Sequence, residues 1–288
     1  MSTPWFASPR EAAERLGATG YLTDAATATT AYLAGALEKP LLVEGPAGVG
    51  KTELAKAVAG AMGAGLVRLQ CYEGLDEARA LYEWNYKKQL LRIQAAGDQG
   101  WEQTHDDVFT EEFLLTRPLL TAIRRSEPTV LLVDEVDKTD VEVEALLLEV
   151  LSDFQVTVPE LGTMVAVRRP FVVLTSNASR ELSEALKRRC LYLHLDYPDA
   201  AREREIIHRQ VPDLDERVVR QVVDTVGRLR DLELKKAPSI AESVDWARTL
   251  VALEIGDLDE AAVARTLGAV LKHASDHERA GKELRLGS

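Results

Sequence analysis

A chain of 288 residues that is 46% apolar and 28% charged can bury a sizeable core, as one large domain or two smaller ones. Its net charge of −12, with no long basic block, argues against a sequence-independent hold on nucleic acid, because neutralising phosphates needs clustered Lys and Arg. Cys71 and Cys190 are the only cysteines, no run approaches membrane-spanning length, and residues 1–6 lack a basic region followed by an apolar stretch. A cytoplasmic protein in a reducing compartment, with no membrane partner, is therefore expected.

The first helix signal is Ser8-Pro9-Arg10-Glu11: a Ser cap, Pro in the first turn and Glu three residues after the cap. A second helix is expected over 24–37, with Ala25, Thr29, Tyr32, Leu33, Ala36 and Leu37 on one face. The short apolar run 40–44 then reads as a buried strand. It leads into Gly45, Pro46, Ala47, Gly48, Val49, Gly50, Lys51 and Thr52, which match G-x-x-x-x-G-K-[ST], the phosphate-binding loop of nucleoside triphosphatases. Glycines permit a tight loop whose backbone N–H groups converge on phosphate oxygens, and the following helix, expected over 53–62, turns its positive end to the same anion. Lys51 supplies a cation for the outer phosphates, and the Thr52 hydroxyl is a hard ligand for Mg²⁺.

Further strands are expected at 66–70, 130–134, 171–176 and 191–195, mostly separated by helical patterns; this alternation implies a parallel sheet between helices. Two stretches interrupt it. Residues 71–117, with Trp84, Tyr86, Trp101 and Phe109, are too long for a plain connection and should hold extra helix and an inserted element. Residues 155–158 and 163–167 alternate about Pro159-Glu160-Leu161-Gly162 and read as a hairpin. The strand at 130–134 ends in two acids: Asp134 is the candidate Mg²⁺ ligand and Glu135 the group that polarises an attacking water. The strand at 171–176 delivers Asn177, placed to orient that water or contact a γ-phosphate, although Asn at a strand end is also an ordinary turn residue. Arg188 and Arg189 precede the fifth strand; they either complement a helix dipole or reach a neighbouring subunit's γ-phosphate. Cys190 is expected in the core. From residue 199 the strand signals stop, and helices are expected at 201–210, 216–229, 240–254 and 260–277, with Ser239 and Glu242 forming a capping box.

Taken together these phrases resemble the AAA+ ATPases: GPAGVGKT looks like Walker A, LLVDE like Walker B, TSN ends at the sensor-1 position, and the arginine pair resembles the arginine finger. LLVEGPAGVGKTELAKAVA, LLVDEVDK, LHLDYP and the region 68–86 are similar to the MoxR branch, which carries an insert in its second helix and a hairpin before sensor 1. The resemblance implies a P-loop NTPase α/β domain over 1–198 and a small all-helical lid over 199–288. It also implies ATP and Mg²⁺ as ligands, and a homo-oligomeric, hexameric ring working beside a von Willebrand factor A domain protein on a protein client, a metalloenzyme under maturation. A DNA-acting AAA+ motor and a nucleotide-held scaffold with little hydrolysis are the rival readings. One departure stands out: where the branch has a sensor-2 arginine, in Ser-Pro-Arg-Ala, this chain has Ser239-Ile240-Ala241-Glu242, leaving Lys235, Lys236 or Arg248 as substitutes.

Three further features carry weaker claims. Tyr72 follows the second strand, where such rings carry a substrate-gripping loop, but a packed tyrosine is the default. Trp84 and Trp101 are likewise expected to pack. His273 and His277 lie four apart on the helix expected over 260–277; the spacing suits a metal, but no third ligand accompanies it, so a solvated helix end is preferred.

Overall fold

The computed structural model describes residues 5–96 and 108–284. Trp101 lies outside them. The chain divides into two compact units: residues 1–44 with 51–194, and residues 45–50 with 195–288.

The first unit is built on the expected five-stranded parallel sheet, formed by β1 (Leu41–Glu44), β2 (Gly65–Gln70), β5 (Thr129–Asp134), β8 (Phe171–Ser176) and β9 (Leu191–His194), in the order β2-β5-β8-β1-β9. Every residue of β5 and β8 is buried, which explains their unbroken apolar runs: both faces are covered, so no alternation is needed. Because β1 lies between β8 and β9, the chain order reverses beside it, and the carboxyl ends of these strands flank the crevice where open α/β sheets take ligands. The register sets Gln70 opposite Asp134 and Glu44 opposite both Ser176 and His194.

Local signals place the flanking helices. Ser8 accepts from the Glu11 N–H at the start of helix Pro9–Ala18, while Glu11 reaches back to the Ala7 N–H. Asp24 caps helix Ala25–Ala36 through the Thr27 N–H (2.7 Å). That helix is rich in small residues, and at Gly35 a side chain would meet Trp5 Cβ at 2.7 Å. Trp5 can therefore lie against the helix and meet Phe171 edge-on, centroids 5.3 Å apart.

The two interruptions have separate structures. The first holds the helix Glu77–Ala80, an antiparallel pair of β3 (Tyr82–Trp84) and β4 (Leu114–Thr116), and helix Tyr86–Ala96. Trp84 is buried as expected and meets Phe109 edge-on at 5.2 Å. Tyr72 departs from the packed reading: it is 42% exposed, because the chain has already left the sheet and Cys71, not Tyr72, turns into the core. The second interruption is the hairpin of β6 (Gln155–Val158) and β7 (Gly162–Val165). Phe154, left-handed at φ 51°, ends helix Val141–Asp153 and starts the hairpin. Cys190 is only half-buried, at the helix end before β9 rather than within the strand, but burial still pushes its thiol up to about 12. Cys71 is fully buried, and burial, helped by Asp134, Asp137 and Glu135, pushes its thiol to about 12 as well.

The second unit is helical. Val218, Val219, Val222, Val223, Val226 and Leu229 form the buried stripe of helix Glu216–Arg230. Helix Ile240–Ala252 opens with the predicted capping box, Ser239 and Glu242 exchanging bonds with each other's backbone. The single helix expected over 260–277 is three pieces: helix Glu260–Thr266, a 3-10 turn at Leu267–Ala269, and helix Ala274–Glu283. The break lets Leu267, Val270 and Leu271 all reach the core. His273 sits at the N-cap position of the last helix without a side-chain cap bond, its carbonyl accepts the His277 N–H (3.1 Å), and His277 Nε2 lies 3.0 Å from the Leu271 carbonyl. Among the described residues no group of three or more His, Cys, Asp or Glu is arranged to hold a metal, and no helix is long and apolar enough to cross a membrane.

A buried ion pair organises this unit. Arg230 grips Glu203 with both terminal nitrogens (2.6 and 2.9 Å), donates to the Pro238 carbonyl (2.8 Å) and stacks over the Tyr197 ring at 4.6 Å. The Ser243 hydroxyl also donates to Glu203 (2.7 Å). Removing one partner of such a pair strands the other charge in the interior. Glu203→Ala should therefore destabilise the helical unit by about 3 kcal/mol, read as lost hydrogen-exchange protection there, whereas Glu203→Leu with Arg230→Met should cost much less.

Candidate nucleotide site

The glycine loop is shaped by close approach. A Cβ at Gly45 would lie 1.9 Å from the Leu195 carbonyl oxygen, and one at Gly48, itself at φ +74°, would lie 2.3 Å from Ser239 Cβ. No residue with a side chain fits either position, so the motif's glycines are demanded by packing as well as by backbone conformation. Both contacts lie within the helical unit, to which residues 45–50 belong.

Lys51 opens helix Lys51–Met62, in the sheet unit, and is only 7% exposed. Burial lowers its pKa, opposed by the charges of Asp137, Asp134, Glu135 and Glu44 in that order. Its ammonium donates to Asn177 Oδ1 (2.8 Å), although the two residues are 126 apart in sequence. This bond fixes the Asn177 amide, because an ammonium can only donate and must face the oxygen. The amide nitrogen then faces Glu135 Oε1 at 3.4 Å.

Asp134 ends β5, 3% exposed, and is surrounded by donors. The Thr52 hydroxyl reaches its Oδ1 at 3.0 Å and the Thr175 hydroxyl the same oxygen at 2.5 Å, while Arg68 reaches Oδ2 at 2.5 Å. A hydroxyl and a carboxylate one hydrogen bond apart are hard oxygen donors of the kind Mg²⁺ prefers, so the side chains at this point fit that ion. Glu135 follows in a left-handed conformation, φ 58° and ψ 48°, which a residue with a Cβ adopts at a cost of about 1 kcal/mol. The backbone survives there because the Glu135 N–H donates to Thr175 Oγ1 (2.9 Å). The Glu135 carboxylate accepts from Gln70 (3.2 Å) and Lys138 (2.6 Å) on Oε2, besides Asn177 on Oε1.

The structure thus brings Lys51, Thr52, Asp134, Glu135 and Asn177 into one bonded cluster. The arginines separate. Arg189 Nε donates to Ser152 (2.7 Å) and one terminal nitrogen to the Ala185 carbonyl (3.1 Å). Arg188 is exposed, and no bond to its guanidinium is seen among the described residues. Of the candidates to replace the sensor-2 arginine, Lys236 pairs with Glu242 (2.9 Å) and Arg248 with Asp245 and Gln210 (3.3 and 3.2 Å); the Lys235 side chain is exposed.

Five neighbours escaped the sequence reading: Arg68, Gln70, Thr175, Asp137 and Lys138. Asp137 and Lys138 share the phrase LLVDEVDK with the acids, and Thr175 lies two residues before Asn177 on the same strand, so spacing offered a signal for these. Arg68 and Gln70 reach the acids only because β2 pairs with β5, which sequence does not show.

Residues 40–190 match the family described as AAA domain (dynein-related subfamily). An uncharacterized protein of Staphylococcus haemolyticus is 26% identical over 243 residues, 80% of this chain and 84% of its own. Chaperone protein ClpB 1 of Synechocystis is 33% identical over 141 residues, 47% of this chain but 13% of that one. Among solved structures, a mutant RuvB from Thermotoga maritima aligns over 97% of this chain and 73% of its own, at 16% identity and a TM-score of 0.48.

Proposed function

The chain belongs to the dynein-related AAA domain family, and from that membership we propose that it hydrolyses Mg·ATP in a ring of its own copies to remodel a protein client. The observation that carries the reading is the cluster at the strand ends: the buried Lys51 donates to the Asn177 amide, that amide to Glu135, and Thr52 to the adjacent carboxylate of Asp134.

In this reading residues 45–50 offer backbone N–H groups to the phosphates and Lys51 leaves Asn177 to meet the outer ones. Thr52 and Asp134 hold Mg²⁺, which when bound neutralises phosphate charge. Glu135 takes a proton from water as the water oxygen attacks the γ-phosphorus and the bond to the β-phosphate oxygen breaks, releasing ADP and phosphate. Asn177 contacts the γ-phosphate or that water. Residues 199–288 serve as the lid.

The finer reading is a MoxR-type ATPase with a von Willebrand factor A domain partner and a metalloenzyme client. It is supported by the sequence phrases of that branch, the β3–β4 insert and the β6–β7 hairpin. Ring assembly gives Arg188 its role: its guanidinium is exposed and Arg189's is engaged, so Arg188 is the finger that completes a neighbour's site.

The test is Mg-dependent ATPase activity of the purified protein. Arg188→Ala should lower kcat at least about a hundredfold, and Arg189→Ala far less. Mixing Arg188→Ala, which keeps its own site, with Lys51→Ala, which keeps its finger, should restore activity at mixed interfaces. No restoration would remove the trans assignment, and a parent protein that binds ATP without turnover would favour the scaffold.

A further inference from the structure

Asp137 is a buried acid next to the candidate site that the proposed chemistry does not use. It is 3% exposed, in the short turn Val136–Lys138 that follows Glu135. Its carboxylate does not cap that turn. It crosses to the end of β8, where Oδ2 accepts from both the Ser179 N–H (3.0 Å) and the Ser179 hydroxyl (2.6 Å). Burial raises its pKa, but hydrogen bonding led by the Ser179 hydroxyl and N–H outweighs that and holds the group below its ordinary value, while the buried Oδ1 has no hydrogen-bond partner among the described residues.

The residue between Asn177 and Ser179 is Ala178, at φ +55°. Alanine enters this left-handed region at a cost of about 1 kcal/mol, so the turn needs ties on both sides. One is Ser176, whose hydroxyl oxygen accepts the Ala178 N–H (3.0 Å). Asp137 is the other. The side chain held by this turn is Asn177, whose amide must present its oxygen to Lys51 and its nitrogen to Glu135.

We propose that Asp137 is a positioning residue for Asn177: by clamping Ser179 it fixes the turn that aims the Asn177 amide. The inference rests on the ATPase reading, and deepens it by adding a residue that acts through Asn177. Asp137 is also the charge that most raises the Lys51 pKa, so a purely electrostatic role is the competing explanation. Substitution separates the two. Asparagine keeps an oxygen for Ser179 and loses the charge; alanine loses both.

The experiment measures kcat and ADP affinity in parent, Asn177→Ala, Asp137→Ala, Asp137→Asn and the Asp137→Ala/Asn177→Ala double variant. Asn177→Ala should lower kcat by about tenfold or more. Asp137→Ala should fall comparably, with ADP affinity kept, and the double variant should be no worse than Asn177→Ala alone, because both remove one device. Asp137→Asn should recover to within about threefold of parent. Ser179→Ala, at an exposed residue, carries the test if Asp137→Ala does not fold: it should lower kcat in the parent background and change nothing beside Asn177→Ala. Losses that multiply in the double variant, or Asp137→Asn as impaired as Asp137→Ala, would overturn the clamp while leaving the ATPase reading intact. A parent with no turnover would overturn both, whereas an Asn177→Ala variant as active as parent would overturn the clamp alone.

Discussion

Lys51→Ala is expected to weaken ATP and ADP binding at least about a hundredfold, the effect of losing one charge-assisted contact worth about 3 kcal/mol in a buried setting. The magnitude follows from where the lysine sits. Its ammonium is already desolvated, so little further desolvation opposes its meeting a phosphate, and it is held within the cluster rather than ranging through solvent. The variant should still fold. Removing Lys51 relieves a buried charge while taking one positive charge from beside Asp137, Asp134, Glu135 and Glu44, and these effects oppose each other; Asp134 and Glu135 keep Arg68 and Lys138. Calorimetric titration with ADP, beside a thermal melt, checks both parts. A folded Lys51→Ala protein that binds nucleotide like the parent would sink the site assignment outright.

Glu135→Gln should do the converse: ATP affinity stays near the parent's while turnover drops by about a hundredfold to ten-thousandfold, the span general-base catalysis supplies. Glutamine has the same shape but cannot accept the water's proton. In the structure Glu135 accepts from Lys138 and Gln70 on one oxygen and from Asn177 on the other. An amide has one oxygen, which Lys138 will claim, so its NH₂ meets the Asn177 NH₂ and that 3.4 Å bond is lost. The variant should thus hold ATP without turning it over, measurable as retained ATP after gel filtration. Turnover at the parent's rate would mean that another group activates the water.

Much of this was legible in the sequence, for physical reasons that differ residue by residue. The glycine loop was readable because backbone approach tolerates no Cβ at Gly45 and Gly48, which leaves a mark in composition. Strands β5 and β8 were readable because burial on both faces gives them the unbroken apolar runs 130–133 and 171–174. The bonds themselves were not. Lys51 meets Asn177 across 126 residues, and Arg68 meets Asp134 across 66, through strand register that local pattern does not encode. The last helix was read as continuous because Val263, Leu267, Val270 and Leu271 keep a helical spacing even through the break. Tyr72 was read as packed because an aromatic beside an apolar strand usually is; its exposure depends on where β2 ends, which is the least certain thing a sequence gives.

The two thiols have a practical consequence. With both raised to about 12, almost no thiolate exists near neutral pH, and the thiolate is the form that alkylating reagents attack. A cysteine introduced at an exposed position such as Tyr72 would then be the one site that maleimide dyes find quickly. Fluorescent reporters could be placed on this chain without first deleting its own sulfur.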